Sequence, residues 1–384
     1  FRSGDWRLYE LPRRVLTFSK AIKQAENVSS PEALQPPKIS LSSALPPVEV
    51  VDMRQELKTG NTSALSRALT TGLSQALSAG QQAILFLNRK GSATYVFCRT
   101  CGEALRCPHD DQPLVYYDSR EQLVCNLDGY ARKMPEKCPH CGSKKIGQFG
   151  LGTERLEKIV QKAFPQARIL RWDAETTTTK GAHDLILSHF SAHRADILLG
   201  TQMLAKGLDL PLVTLVGIVL AETGLNLPDY RAAERTYQVL TQVSGRAGRS
   251  LLGGKIVLQT YQPDNYVIQA VAHHDFEGFY QHELALRREL AYPPYSHLLR
   301  LEFRHLSNEK CQAAANELAG IIQEEIQQQK RTQTSFIGPV PCYYPKMYGL
   351  YRWQILLRSP EPLSLLPHLP LRNWFVEVDP PNLL

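Results

Sequence analysis

Two cysteine pairs constrain this chain more than any other feature. Cys98 and Cys101 stand in CRTCG, Cys138 and Cys141 in CPHCG, each pair spaced Cys-x-x-Cys and each followed by glycine. Such a knuckle places two thiolates on one side of a tight bend, and the glycine supplies the backbone freedom the bend needs. Together the two knuckles predict a four-thiolate zinc site. With all four positions filled by sulfur, no coordination position stays open, so the expected role is structural. Six of the eight cysteines fall between Cys98 and Cys141. Clustering of that kind in a large chain with no signal-peptide pattern at its start points to metal in a reducing compartment, not to a disulfide framework.

A second, altered set lies between the knuckles. Cys107 is followed at the fourth place of its turn by Asp110, and Cys125 likewise by Asp128. Two thiolates and two carboxylates carry the same charge as four thiolates, and carboxylate oxygen is a legitimate though harder zinc ligand. His109 could replace one carboxylate. A mixed second zinc site and a site that has lost its metal, its turns held by hydrogen bonds, remain equally open.

Around this cluster runs an α/β pattern. Short continuous apolar segments at 83–88, 167–170, 195–200, 213–220 and 255–261 alternate with amphipathic stretches, which predicts a parallel sheet covered on both faces. Leu65, Leu69, Leu73 and Leu77 keep helical spacing before it. The Ser- and Pro-rich stretch 28–48 reads as a linker. Past residue 282 the pattern changes to strands near 298–304, 352–359 and 374–380 and one long helix over 308–329, a small α+β unit. No run approaches the ~18 apolar residues of a membrane helix. Lys and Arg number 44 against 37 Asp and Glu, a net +7 that permits a nucleic-acid partner without demanding one. Lys144, Lys145, Arg287, Arg288, Lys346 and Arg352 are candidate phosphate contacts, and Tyr351 or Trp353 a candidate stacking platform; a solvated surface for the cations and core packing for Trp353 are the plainer readings.

The segment TQVSGRAGR at 241–249 follows a helical stretch. Arg246 and Arg249, three apart on one turn, point two permanent positive forks in one direction, which suits a phosphate chain. With Gln242 they form the Q-x-x-G-R-x-G-R pattern of superfamily 2 helicases, in which arginines from the second motor lobe complete the ATP site. GTQMLAKGLDLP at 200–211 offers Thr201, Gln202, Lys206 and Asp209 for nucleic-acid backbone contact and nucleotide coupling. Thr153 in GLGTERLEK sits at a helix start suited to phosphate, although a simple capped helix explains it as well. A Walker A sequence is missing: SLLGGKI at 250–256 lacks the first glycine and the Ser or Thr. No Asp-Glu-x-His or Asp-Glu-x-Asp box occurs either.

Read in order, FLNRKG (86–91), the two knuckles, GLGTERLE, GTQMLAKG, LPDYRAAER (227–235), TQVSGRAGR, LAYPPYSHLLRLEF (290–303), YRWQILLRS (351–359) and VEVDPPNLL (376–384) resemble the PriA family of replication restart helicases. The resemblance implies a RecA-like second helicase lobe with a parallel sheet at 47–282, a zinc-binding insertion at 95–148 within it, a C-terminal α+β domain at 283–384, and a remnant of the first lobe with a linker at 1–46. It further implies an ATP-dependent 3′ to 5′ DNA helicase acting at stalled forks, with ATP and Mg(2+) bound only when the first lobe is supplied. Forked and single-stranded DNA, single-strand binding protein and other primosome proteins are the implied partners, the bacterial cytoplasm and nucleoid the implied location. Leu208 stands where the family usually has His, and Leu220 and Glu222 where aspartates are common. A non-enzymatic fork-binding scaffold is therefore the competing reading.

Overall fold

The computed structural model describes residues 45–88, 94–109, 113–117, 121–125, 129–148, 151–173, 176–177, 181–201, 210, 212–247 and 253–383. Three sheets organise them.

The first is a six-stranded parallel sheet in the order β1-β11-β10-β2-β9-β8. Its strands are β1 (Val48–Asp52), β2 (Gln82–Leu87), β8 (Ile169–Trp172), β9 (Ile197–Gly200), β10 (Val213–Val219) and β11 (Lys255–Thr260). Alternation along each strand divides the apolar residues between two cores. Ile84, Phe86, Leu198, Val216, Ile218, Ile256 and Leu258 face helices α5 (Ala232–Ala247) and α6 (Tyr266–Ala272). Ala83, Leu85, Leu87, Ile197, Leu199, Leu215 and Val257 face α2 (Arg67–Ser78) and α3 (Thr153–Ala163). Continuous apolar runs are what a sheet covered on both faces requires. Helix α2 lies close enough to β10 that a Cβ at Gly217 would stand 2.6 Å from Leu69 Cδ1 and 2.7 Å from Leu85 Cδ2. Each fully buried Leu or Ile in these layers contributes roughly 1.5–3 kcal/mol.

Between β2 and α3 the chain builds a second, five-stranded antiparallel sheet, β6-β5-β4-β3-β7, from β3 (Thr94–Cys98), β4 (Val115–Tyr117), β5 (Gln122–Val124), β6 (Ala131–Lys133) and β7 (Ile146–Gln148). The knuckle turns hang from its strands.

The third is antiparallel, β13-β14-β12-β15, from β12 (His297–His305), β13 (Ser335–Met347), β14 (Leu350–Ser359) and β15 (Trp374–Val378). Helix α8 (Asn308–Gln328) covers one face through Leu318 and Ile322 against Leu299, Leu301, Ile355 and Leu357. The opposite face buries Glu302, whose carboxylate receives Arg352 Nε at 2.7 Å and Nη2 at 2.9 Å, Arg304 Nε at 2.6 Å and Arg300 Nη2 at 3.2 Å. Burial alone would raise this carboxyl, but Arg352 and Arg304 hold it below the ordinary range. Helix α7 (Phe276–Glu289) runs across residue 282, where the sequence pattern changes. Strand β13 carries Pro339, Pro341 and Pro345 and was not expected from the sequence; it sits at a sheet edge and its register on β14 shifts between Ile337 and Val340 and between Pro341 and Lys346, the settings in which strands tolerate proline.

Candidate metal centre and motor motifs

The four knuckle cysteines come together. One ligand atom from each of Cys98, Cys101, Cys138 and Cys141 lies within 4.8 Å of the others. Cys98 Sγ approaches Cys141 Sγ at 3.6 Å, and Cys101 Sγ approaches Cys138 Sγ at 3.8 Å. A tetrahedron with bonds of ~2.3 Å has edges of ~3.8 Å, so the set fits a zinc-sized ion. Both turns are built alike. The Cys98 N–H donates to Glu103 O and the Gly102 N–H to Cys98 O; the Cys138 N–H donates to Ser143 O and the Gly142 N–H to Cys138 O, all at 2.8 Å. Gly102 and Gly142 hold φ of 83° and 69°. The β3–β7 ladder, pairing Cys98 with Ile146, brings the second knuckle to the first.

The electrostatics call for a cation. Burial works against the Cys98 thiolate, but the N–H groups of Cys101 and Thr100 and the neighbouring sulfurs outweigh it and bring this thiol down to about 7. Cys101 and Cys138 are pushed up, first by burial, and Cys101 also by the sulfurs of Cys141, Cys138 and Cys98. The pocket thus accepts one negative sulfur readily and resists the next, a conflict that a divalent ion resolves.

The first knuckle is docked on the parallel sheet. Phe97 packs on Tyr261 at 5.1 Å between ring centroids, within a cluster that includes Met53 and Ala104. Arg99 Nε donates to Tyr261 Oη at 2.9 Å, and Arg54 Nη1 reaches Cys101 O at 3.5 Å. Behind Tyr261, Glu222 is fully buried. It accepts from Thr260 Oγ1 at 2.8 Å and from the Tyr261 N–H at 3.2 Å, and burial pushes its carboxyl up. In the sequence Glu222 stands out only as a departure from the family, and nothing there marks Tyr261 as the knuckle's seat.

Cys107 and Cys125 lie elsewhere, in a core with Val96, Leu105, Leu114 and Leu123. Asp110 and Asp128 fall outside the described residues. The Cys125 N–H donates to Tyr130 O at 2.8 Å, the Gly129 N–H donates to Cys125 O at 3.1 Å, and Gly129 has φ 78°. The described residues at the two ends of this stretch therefore make the same pair of backbone hydrogen bonds as the knuckles. Glycine directly after Asp128 was the signal for this.

The motor residues separate onto two edges of the parallel sheet. Thr153 begins α3 at the carboxyl edge, but its hydroxyl donates to buried Asp173 at 2.6 Å and it is itself buried. Thr201 follows β9 at the same edge, its N–H on Trp172 O at 3.4 Å. Helix α5 leaves the carboxyl end of β10 and must return the chain to the amino end of parallel β11, so Gln242 and Arg246 stand near the other edge. A Cβ at Gly254 would stand 2.0 Å from Ala247 O, which shows how tightly the helix end meets the entry to β11. Gln242 is exposed and Arg246 is 5% exposed. Gln202, Lys206, Asp209 and Arg249 fall outside the described residues.

Two of the candidate phosphate contacts, Arg352 and Arg287, are paired within the protein, and Trp353 takes the core position that is its plainer reading. Arg352 is buried on Glu302, and Arg287 is held by Glu234 and Glu283, both at 2.8 Å, so their charges are spent inside the protein. Trp353 is 7% exposed, with Nε1 on Asn308 Oδ1 at 3.0 Å, and offers no face to a base.

Comparison with known proteins agrees with this architecture. The Helicase conserved C-terminal domain matches residues 143–250, and the Primosomal protein N C-terminal domain matches 288–381. The replication restart protein PriA of Bacillus subtilis is 43% identical over 321 residues, 84% of this chain and 39% of that protein. This chain belongs to the PriA family. The relative from Synechocystis is 41% identical over 344 residues, 88% of this chain and 41% of that protein. The chain thus spans about two fifths of the length of these curated relatives. Among solved structures, a leucine-to-valine variant of S. cerevisiae Dbp5 bound to RNA and ADP BeF3 is 15% identical with a TM-score of 0.31, covering 71% of this chain and 53% of that one, too slight to carry an argument. Among the described residues no helix is long and apolar enough to cross a membrane.

Proposed function

We propose that this chain supplies the second motor lobe, a structural zinc module and the C-terminal domain of an ATP-dependent 3′ to 5′ DNA helicase that restarts replication at stalled forks. The observation that carries the reading is α5: in a chain of the PriA family it packs along a parallel sheet and ends in Gln242 and Arg246, with Arg249 following in sequence. Phosphoryl transfer spreads negative charge over the transferring group, and fixed guanidinium groups at a rigid helix end are suited to stabilise it. The sequence carries no Walker A, so the chain by itself is expected to hydrolyse no ATP. Cys98, Cys101, Cys138 and Cys141 hold the zinc, which as a saturated four-thiolate ion cross-links the two knuckles and performs no chemistry. Forked DNA is the proposed substrate, bound in a salt-sensitive way, with single-strand binding protein and other primosome proteins as partners.

The test is DNA-stimulated ATP hydrolysis by protein from the complete reading frame. Arg246→Ala and Arg249→Ala should each lower turnover by roughly a thousandfold if they act as arginine fingers, with forked-DNA affinity retained. Unchanged turnover in both variants would sink this role. Wild-type protein that binds forks without hydrolysing ATP would establish the scaffold reading instead.

A further inference from the structure

The residues just before α5 are where the third sheet grips the first. Asp229 opens this helix: its Oδ1 accepts from the Arg231 N–H at 2.9 Å, while Oδ2 accepts from Arg235 Nη1 at 2.7 Å and from the Leu383 N–H at 3.4 Å. The Asp229 side chain is 1% exposed. The second branch of the Arg235 guanidinium donates to Pro381 O. One residue on, Asn382 O accepts from Arg300 Nη1 of β12 at 3.3 Å. Leu383 is then buried among Leu298 and Leu356, with Tyr230, Tyr292 and Ile337 packed against them.

The near end of this segment is fastened to the third sheet. Asp379 Oδ1 accepts from the Leu298 N–H at 2.9 Å, and Oδ2 meets His297 Nδ1 at 2.7 Å. A separate strut joins the same places: Arg287 of α7 pairs with Glu234 of α5 at 2.8 Å, and Tyr230 stacks on Tyr292 at 5.5 Å. A buried carboxylate with three donors, one of them the backbone of a distant segment, is costly to disrupt because breaking one partner leaves the charge undercompensated.

Arg235 and Arg246 share one helix and lie roughly 16 Å apart along its axis at the α-helical rise. A helix packed along its length moves as a body, so its start sets where its end stands. We propose that Asp229 and Arg235 are positioning residues for the arginine motif, and that Pro381–Leu383 is the clasp through which the C-terminal sheet fixes α5. The proposal rests on the helicase reading for its consequence in ATP hydrolysis; the mechanical link stands apart from it. Loosening the clasp thus acts on Gln242 and Arg246 from the far end of the helix, through residues that do not themselves contact nucleotide.

The test uses Leu383→Asp, which sets a second carboxylate beside Asp229. In this chain, amide hydrogen exchange is read peptide by peptide. Residues 240–247 should exchange about tenfold faster, with residues 82–87 of β2 and the zinc content unchanged. In full-length protein, kcat of DNA-stimulated ATP hydrolysis should fall about ten- to a hundredfold. KM for ATP and the Kd for forked DNA should stay within about twofold of wild type, and Leu383→Met should restore turnover. Unchanged exchange at 240–247, or exchange that rises equally across the whole parallel sheet, overturns the proposal. If Leu383→Asp does not fold, Arg235→Gln, which releases Pro381 and keeps the apolar burial, is read by the same measurements. Full-length wild type without ATP hydrolysis would refute the helicase reading alone, since the exchange result still decides the clasp.

Discussion

Two cysteine-bearing regions of the same module share a pair of backbone hydrogen bonds and differ in what surrounds their sulfurs. At Cys98 and Cys138 the turn ends in a second cysteine, and four sulfurs converge at distances that fit a tetrahedral ion. At Cys125 the same pair of backbone hydrogen bonds and the same left-handed glycine recur, yet the sulfur is packed with Val96, Leu114 and Leu123. The two hydrogen bonds and the left-handed glycine are thus common to both regions, and the side chain at the fourth place, Cys101 and Cys141 in one and Asp128 in the other, is where their sequences part. The first region also does something the second does not: through Phe97, Arg99 and the Cys101 carbonyl it seats the module on the motor sheet at Tyr261.

The largest difference should appear on removal of a thiolate. Cys138→Ser leaves three sulfurs around an ion whose binding contributes on the order of 10 kcal/mol in small zinc domains, so the variant is expected to lose its zinc and the protection of amides in 94–148. The two apolar cores of the parallel sheet should hold, because neither includes a knuckle residue. Metal analysis of wild-type protein is expected to give one zinc per chain. Full zinc retention by Cys138→Ser would break the four-thiolate assignment; a second zinc in wild type would make ligands of Asp110 and Asp128 and erase the contrast between the regions.

Much of this was legible in the sequence, and the reasons are local. The knuckle ligands follow from spacing and the glycine behind it; the parallel sheet follows from continuous apolar runs, since strands covered on both faces have no polar side to hide them. Strand β13 was not legible because its prolines argue against a strand until one knows that it lies at an edge. Neither the seat at Tyr261 nor the clasp at Asp229 has a periodic signal: Arg99 and Tyr261, or Asp229 and Leu383, meet only after the chain has folded. In the sequence Arg352 is a candidate phosphate contact, and Trp353 is open between a stacking platform and core packing. Alternation along β14 puts them on opposite faces of the third sheet, one under α8 and one on Glu302, and both faces are covered there.

The glycines behind the knuckles sharpen the comparison at a smaller scale. All hold positive φ, so alanine costs about 1–2 kcal/mol at any of them. At Gly102, however, a Cβ would stand 2.1 Å from Tyr261 O, whereas at Gly129 the nearest atom is Val340 Cγ1 at 3.7 Å and at Gly142 nothing lies within 4 Å. Gly102→Ala must therefore push the knuckle off its seat, and its loss of stability in denaturant unfolding should exceed that of Gly129→Ala by roughly 2 kcal/mol or more. Equal losses at the two positions would mean that the seat at Tyr261 contributes nothing, and the first region would differ from the second only in its metal.

The smallest effect is the most discriminating. Cys125→Ala and Cys98→Ala are the same chemical change at the same place in the same turn. In Cys98→Ala a ligand is lost, and the consequence is that of an emptied metal site. In Cys125→Ala a single buried sulfur is removed from an apolar cluster, which costs about 1 kcal/mol for the contacts and the small cavity left behind. The expected result is a modest fall in unfolding midpoint with zinc content unchanged, and Cys107→Ala should behave the same way because its sulfur lies in the same core. Both cysteines share a core with Val96, Leu105, Leu114 and Leu123, and the Cys107 sulfur also accepts from the His109 N–H at 3.4 Å. If Cys125→Ala instead releases metal, the sulfur was a ligand, and the turn that ends in Asp128 completes a second site with oxygen in place of sulfur.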